Sequence, residues 1–281
     1  MSTGTMSIRE HIDELRSRLL RIVISIMIIT IFSMSFGIKT FTLYYPIIDT
    51  NNNNSSNGIQ LFYPYPDPFH NIAIQITSFM EKTLLPPEVD LIQTAPGQAF
   101  FAQVYVSLLV GIIGSIPIII KEIFGFISPA IGNQTKRIGI INVFLPIVSL
   151  CITGIVFSYI VVIPFTLNFL YKYGQSIGVA TFLNINDFIS FVLQFFLGFG
   201  IAFELPIVMY AIALTDIIDT RFWRKNFRYA ALVLVIFGAI ITPDGSGVTM
   251  WFVAGPMITL YLLGMAAIER RDRMRRRMLV S

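Results

Sequence analysis

The residues of this 281-residue chain that could do chemistry are a few acids, and their settings differ. Glu204 stands in "FLGFGIAFELPIVMY", Phe196 to Tyr210, an otherwise apolar stretch, two residues before Pro206. A carboxylate at the centre of a bilayer costs about 2.5–3.5 kcal/mol on insertion scales. It persists only if it faces protein, a water-filled recess or a partner, or if it is protonated. Pro206 adds polarity nearby, because it frees the carbonyl of residue 202 from its helical bond. Glu14 lies in "HIDELRSRL", where an i,i+4 pair with Arg18 would contribute only about 0.2–0.5 kcal/mol. Glu122, in "IPIIIKEIFGFISPAI", is either an interfacial charge that stops an apolar run or, with Glu14, half of an acid pair. Two such acids at one surface could hold a basic peptide by charge-assisted, bidentate bonds to guanidinium groups. Pro243 and Asp244, in "TPDGSG", read as a structural turn, with Asp244 capping a helix or forming an Asx turn.

Catalysis finds no constellation. "DGSG" invites comparison with the G-x-S-G of intramembrane serine proteases, yet Pro243 precedes Asp244 and the only histidines, His11 and His70, lie outside the apolar blocks. Metal-ligand clusters and glycine-rich phosphate loops are missing, and the single Cys151 excludes an internal disulfide or a cysteine metal site. The expectation is a non-enzymatic protein without a cofactor.

The elements that must position these acids are apolar helices. Hydrophobic residues make up 55% of the chain and charged residues 13%, about half the charge of a soluble domain, and the mean hydropathy is +0.73. The uncharged blocks are long enough for spans of about 20 residues. They predict an all-α polytopic membrane protein with six transmembrane helices, at 20–42, 99–120, 138–163, 188–212, 229–242 and 248–268. All basic residues except Lys39, Lys82 and Lys172 fall on one side of this topology, which sets both termini in the cytoplasm. The net charge of +4 and the basic tail, 269–281, then serve topology and anionic-lipid contact rather than nucleic-acid binding.

Ser7 and Glu10 form a capping-box pattern, so a cytoplasmic amphipathic helix is expected over 7–19, bending into the first span. That first span is read as retained rather than cleaved. The extracytoplasmic loop, 43–98, contains "TNNNNSSNG", read as mobile, with glycosylation sequons at Asn53 and Asn54, and a short interfacial helix over 71–85. The fifth block leaves 15 uncharged residues, about 22 Å of helix. The short fifth and sixth helices should therefore thin the bilayer locally or tuck beneath longer neighbours. The fourth block, uncharged from Phe188 to Thr215 apart from Glu204, is expected to run as about 42 Å of helix with Glu204 in its cytoplasmic half.

Taken in order, these motifs resemble the TatC family, the polytopic subunit of the twin-arginine protein translocase. "HIDELRSRL" is similar to the family's H-x-x-E-L-R-x-R-L signature, and "PIIIKEIFGFISPAI" to its helix 2 ending and F-x-x-P loop. "ITGIVFSYIVVIPFTLNFL", "FGIAFELPI" and "GAIITPD" resemble its third, fourth and fifth helices. The resemblance spans nearly the whole chain except the first loop and the tail.

It implies a curved, groove-forming wall of helices in a prokaryotic cytoplasmic membrane, and an oligomeric complex. It implies recognition of precursors by their twin-arginine signal peptides, recruitment of TatA/TatB-type single-span subunits, and transport on the proton-motive force. Glu14 matches the family's signal-binding acid, with Arg16 in the same signature, and Phe126 and Pro129 match the recognition loop. Glu204, beside Pro206, matches the acid that faces a groove within the bilayer. One departure stands out. Thr135 occupies the place of the family's second cytoplasmic acid, so Glu122, the only acid near that loop, is expected to supply the charge. The Asn-rich outer loop and the "TPDGSG" turn suggest an archaeal source. The rival class is a proton- or ion-coupled small-solute transporter with Glu204 as its carrier site, which inverted repeats would favour. Residues 1–140 and 141–281 contain no such repeat.

Overall fold

The computed structural model describes residues 8–44, 58–131, 140–179, 181–214, 218, 220–242 and 247–280. The chain begins with one helix, α1 (Ile8–Ser35), followed by a hairpin of β1 (Phe36–Tyr44) and β2 (Gly58–Pro66). Next come α2 (Ile72–Leu84), the short strand β3 (Asp90–Ile92) and the long helix α3 (Gln98–Ile131). A helical path then runs through α4 (Ile140–Phe157), a π-helical turn (Ser158–Val162) and α5 (Ile163–Ser176). The remainder is β4 (Phe182–Asn184), α6 (Ile185–Ala202), α7 (Leu205–Leu214), α8 (Thr220–Lys225), α9 (Phe227–Ile241) and α10 (Gly247–Val280).

The fold is mostly helical, and among the described residues five stretches are long and apolar enough to cross a membrane. They are Arg9–Ser35, Gln98–Ile123, Leu145–Ser176, Ile185–Ala213 and Gly247–Arg275, with Phe227–Ile241 as a shorter apolar helix. Helix α6 is the centre, packing on α3, α4 and α9, while α10 gathers α7 and α9. Its fully buried Phe188, Phe195 and Phe199 form the densest part of the core. Helix α1, by contrast, touches mainly α3 and leaves Leu20, Ile24, Ile28 and Ile31 exposed. On a spanning helix such a face suits lipid tails, and the α1–α3 seam is held by packing and a polar contact instead. Ser25 Oγ meets Ser115 Oγ there at 3.0 Å.

Several expectations change. The segment expected as a surface helix bending into a span is one uninterrupted helix, and it stops at Ser35 rather than at 42. Residues 36–44 pair instead with 58–66 in antiparallel register, Phe36 opposite Pro66 and Tyr44 opposite Gly58. The β-branched and aromatic residues of "FGIKTFTLY" favour a pleated strand over a helix. The turn between β2 and α2 is tied by Asn71. Its Nδ2 donates to the carbonyls of Met34 and Pro68, each at 3.0 Å, and its Oδ1 accepts the Ile74 N–H at 2.9 Å. One buried amide thus caps α2 and satisfies an orphan carbonyl at the end of α1. The short helix expected over 71–85 is α2; the Asn-rich tract with Asn53 and Asn54 lies outside the described residues.

Further along, α3 continues past 120 to Ile131, so Phe126 and Pro129 belong to its last turns rather than to a loop. The third block extends through a π turn to Ser176, the kind of inserted residue that recurs at functional places in helices. The single fourth helix is two helices, broken at Phe203 and Glu204. Finally, α10 carries the basic tail as helix to Val280.

Candidate functional site

Two acid sites emerge, one at the α1–α3 pair and one at the α6–α7 break. In the first, Glu14, Arg18 and Arg21 follow the i, i+4, i+7 spacing that puts them on one face of α1, toward α3. Arg18 Nη2 and Nε donate to Glu14 Oε1 at 2.6 and 3.0 Å. The third nitrogen, Nη1, reaches across to Glu122 Oε2 at 3.1 Å. Arg21 Nη2 meets the same Glu122 oxygen at 3.3 Å. Glu14 and Glu122, more than 100 residues apart, therefore share one guanidinium group. Their exposures differ: the Glu122 side chain is 7% exposed, against 24% for Glu14. Burial makes the arginine pairing of Glu122 obligatory, since an unpaired buried carboxylate would be strongly destabilising.

Two neighbours shape this cluster. Gly125, one turn from Glu122, lies so close to Arg18 that a Cβ there would run into its Nη1. His11 stacks on Phe126 with ring centroids 4.5 Å apart and 22° between planes. Of the predicted site residues, Glu14, Glu122 and Phe126 are thus brought together. Arg16 is exposed and falls on another face of α1, outside the ion-pair cluster. Pro129 sits on the last turns of α3, while Thr135, Pro243 and Asp244 lie outside the described residues. Sequence reasoning saw the Glu14–Arg18 pair as a plain surface contact and missed Arg21 and Gly125. The i+7 spacing of Arg21 was the available sign.

The second site is the break. Pro206 cannot donate a helical hydrogen bond, and the chain responds with a tight turn in which the Glu204 N–H donates to Ile201 O at 3.1 Å. The helix resumes when the Val208 N–H donates to Glu204 O at 2.9 Å. Glu204 Oε1 is enclosed and meets no hydrogen-bond partner among the described residues. Helix α4 approaches closely because Gly154 lacks a side chain. A Cβ at Gly154 would lie 2.6 Å from Phe199 O and 2.9 Å from the Phe203 ring. Phe157 lies against Phe203 at 5.5 Å, and Pro206 backs onto Gly264 of α10. Gly154 is the residue that sequence reasoning missed.

These features define a class: a multi-pass helical membrane protein with a paired acid cluster at one end of its helices and a half-buried acid within them, one of whose oxygens has no partner among the described residues. The model of the Sec-independent protein translocase protein family, TatC, matches residues 10–256. A TatC protein of Cenarchaeum symbiosum is 51% identical over 95% of this chain and 96% of its own length. One from Aquifex aeolicus is 36% identical over 62% of this chain and 72% of its own. A crystal structure of the twin-arginine translocase receptor TatC superposes with a TM-score of 0.72 at 28% identity, covering 92% of this chain and 98% of that one. The chain belongs to the TatC family.

Proposed function

We propose that this chain is the signal-peptide receptor and core component of a twin-arginine translocase, exporting folded proteins across a prokaryotic cytoplasmic membrane on the proton-motive force. The observation that carries the reading is the acid cluster: two distant helices converge on a single guanidinium group through Glu14 and Glu122. A site that already satisfies a guanidinium on three nitrogens has the geometry to receive the arginines of a signal. The solved receptor of the same family, 28% identical over nearly its whole length, supports the assignment.

In this reading Glu14, Glu122, Phe126, Pro129 and Arg16 form the signal-binding region. Both termini are cytoplasmic, and Phe227–Ile241 is the short one of six spans in a curved wall. Glu204 and Pro206 form the intramembrane surface on which TatA/TatB-type single-span subunits dock, its unsatisfied oxygen offering a partner's polar group an acceptor. Pro243 and Asp244 form the outer turn. The basic end of α10, with Arg271 and Arg275 beside Arg221 and Arg224 around a cavity of about 590 Å³, contacts anionic lipid.

Site-specific crosslinking of a twin-arginine signal to positions within 8–18 and 122–137 tests the receptor role. Crosslinks should appear with Arg-Arg and vanish with Lys-Lys; crosslinks that persist with Lys-Lys would overturn the reading.

A further inference from the structure

The charge count of the acid cluster raises a question that the receptor reading leaves open. Glu14 and Glu122 are already balanced by Arg18 and Arg21, and an incoming arginine would leave the cluster one positive charge in excess. Resting on that reading, we propose that Arg18 is the resident occupant of the guanidinium site and sets its specificity, and that a signal arginine enters by displacing it.

Three observations carry this. Arg18 uses all three of its nitrogens: Nε and Nη2 on Glu14 Oε1, and Nη1 on Glu122 Oε2. Its guanidinium end lies against Gly125 of α3, where a Cβ would force Nη1 to shift. And access is ordered. Arg18 and Glu14 are 20% and 24% exposed, whereas Glu122 is 7% exposed under Arg18 and Arg21, so a newcomer meets Glu14 and Arg18 before it meets Glu122. Arg21 stays on Glu122 Oε2 and keeps that buried carboxylate paired during the exchange.

The exchange explains discrimination by chemistry. A guanidinium can reproduce the three-nitrogen pattern that it displaces, so an arginine swaps for Arg18 at little net change. A lysine ammonium is a point charge that cannot span both carboxylates in the same fork, so it loses the competition. Arg18 therefore lowers the apparent affinity for every cationic ligand, and lowers it more for lysine.

The test is titration of the purified full chain in nanodiscs with two synthetic peptides, one with an Arg-Arg core and one with Lys-Lys. Arg18→Gln should bind the Arg-Arg peptide about five- to tenfold tighter than the unmodified chain. It should bind Lys-Lys tighter by a larger factor, so that discrimination narrows. Arg18→Lys, which keeps a charge near Glu14 and guards against loss of folding in the first variant, should fall between. Tighter binding is a result that mere structural damage does not produce. Unchanged or weaker Arg-Arg binding in both variants, with the unmodified chain still preferring Arg-Arg, would overturn the displacement and leave the receptor reading standing. Equal binding of both peptides by the unmodified chain would instead sink the receptor reading itself.

Discussion

The acid cluster of α1 and α3 and the acid at the α6–α7 break solve opposite problems. At the cluster one oxygen of each carboxylate is engaged by arginine, Glu14 Oε1 by Arg18 and Glu122 Oε2 by both Arg18 and Arg21. At the break, Glu204 Oε1 is enclosed without a partner. A site whose acids already hold a guanidinium takes a second one by exchange, and it selects for a group that equals what leaves. A carboxyl oxygen without a partner gains from any donor that arrives, so it selects by location and shape. The first arrangement suits reading a short chemical signal, the second suits docking another helix within the bilayer.

The largest expected effect breaks the first site. Glu14→Ala removes the acceptor of two charge-assisted hydrogen bonds, each worth about 1.5–3 kcal/mol. Binding of an Arg-Arg peptide should fall by at least about 100-fold, and export measured in cells should stop. Next, Gly125→Val sets a branched side chain where the flexible end of Arg18 lies, so Nη1 must shift away from Glu122, and a signal arginine taking the same place meets the same obstacle. The variant's thermal unfolding midpoint in detergent should drop, with signal binding weakened in step. If Gly125→Val leaves both unchanged, the seat described for Arg18 is wrong.

Glu204→Gln sharpens the contrast. Signal-peptide affinity should remain within about twofold, because the two sites share no side chain, while crosslinking to single-span partner subunits should fall by about tenfold. A loss of signal binding in that variant would mean that the sites are coupled. The smallest effect is expected at the hinge below α1. Asn71→Ala should lower stability by about 0.5–2 kcal/mol through lost capping of α2, leaving both binding activities intact once the protein is folded.

Much of this was legible in the sequence, for identifiable reasons. The long apolar helices follow from blocks without Asp, Glu, Lys or Arg, and the meeting of Glu14 with Glu122 follows from both lying at the basic ends of their segments. Pro206 announced the irregularity next to Glu204, although not that the helix would break there. The hairpin escaped notice because residues 36–38 continue the apolar run as far as Lys39, and the β-branched and aromatic content of 36–44 is what tells strand from helix. The parallel pairing of β3 with β4, Asp90 opposite Phe182, joins two three-residue segments far apart in the chain, for which no local pattern exists. Nor could spacing reveal that Arg18 turns one of its nitrogens to α3, because that depends on the approach of α3 at Gly125.

The central claim is that a carboxylate of this chain reads the arginines of a twin-arginine signal. A double-mutant cycle tests it most directly, pairing Glu14→Gln in the full-length protein with Arg→Lys in the peptide and measuring all four affinities. The account predicts a coupling of at least about 1.5 kcal/mol between the two changes. Additive effects, with no coupling beyond about 0.5 kcal/mol, would contradict it.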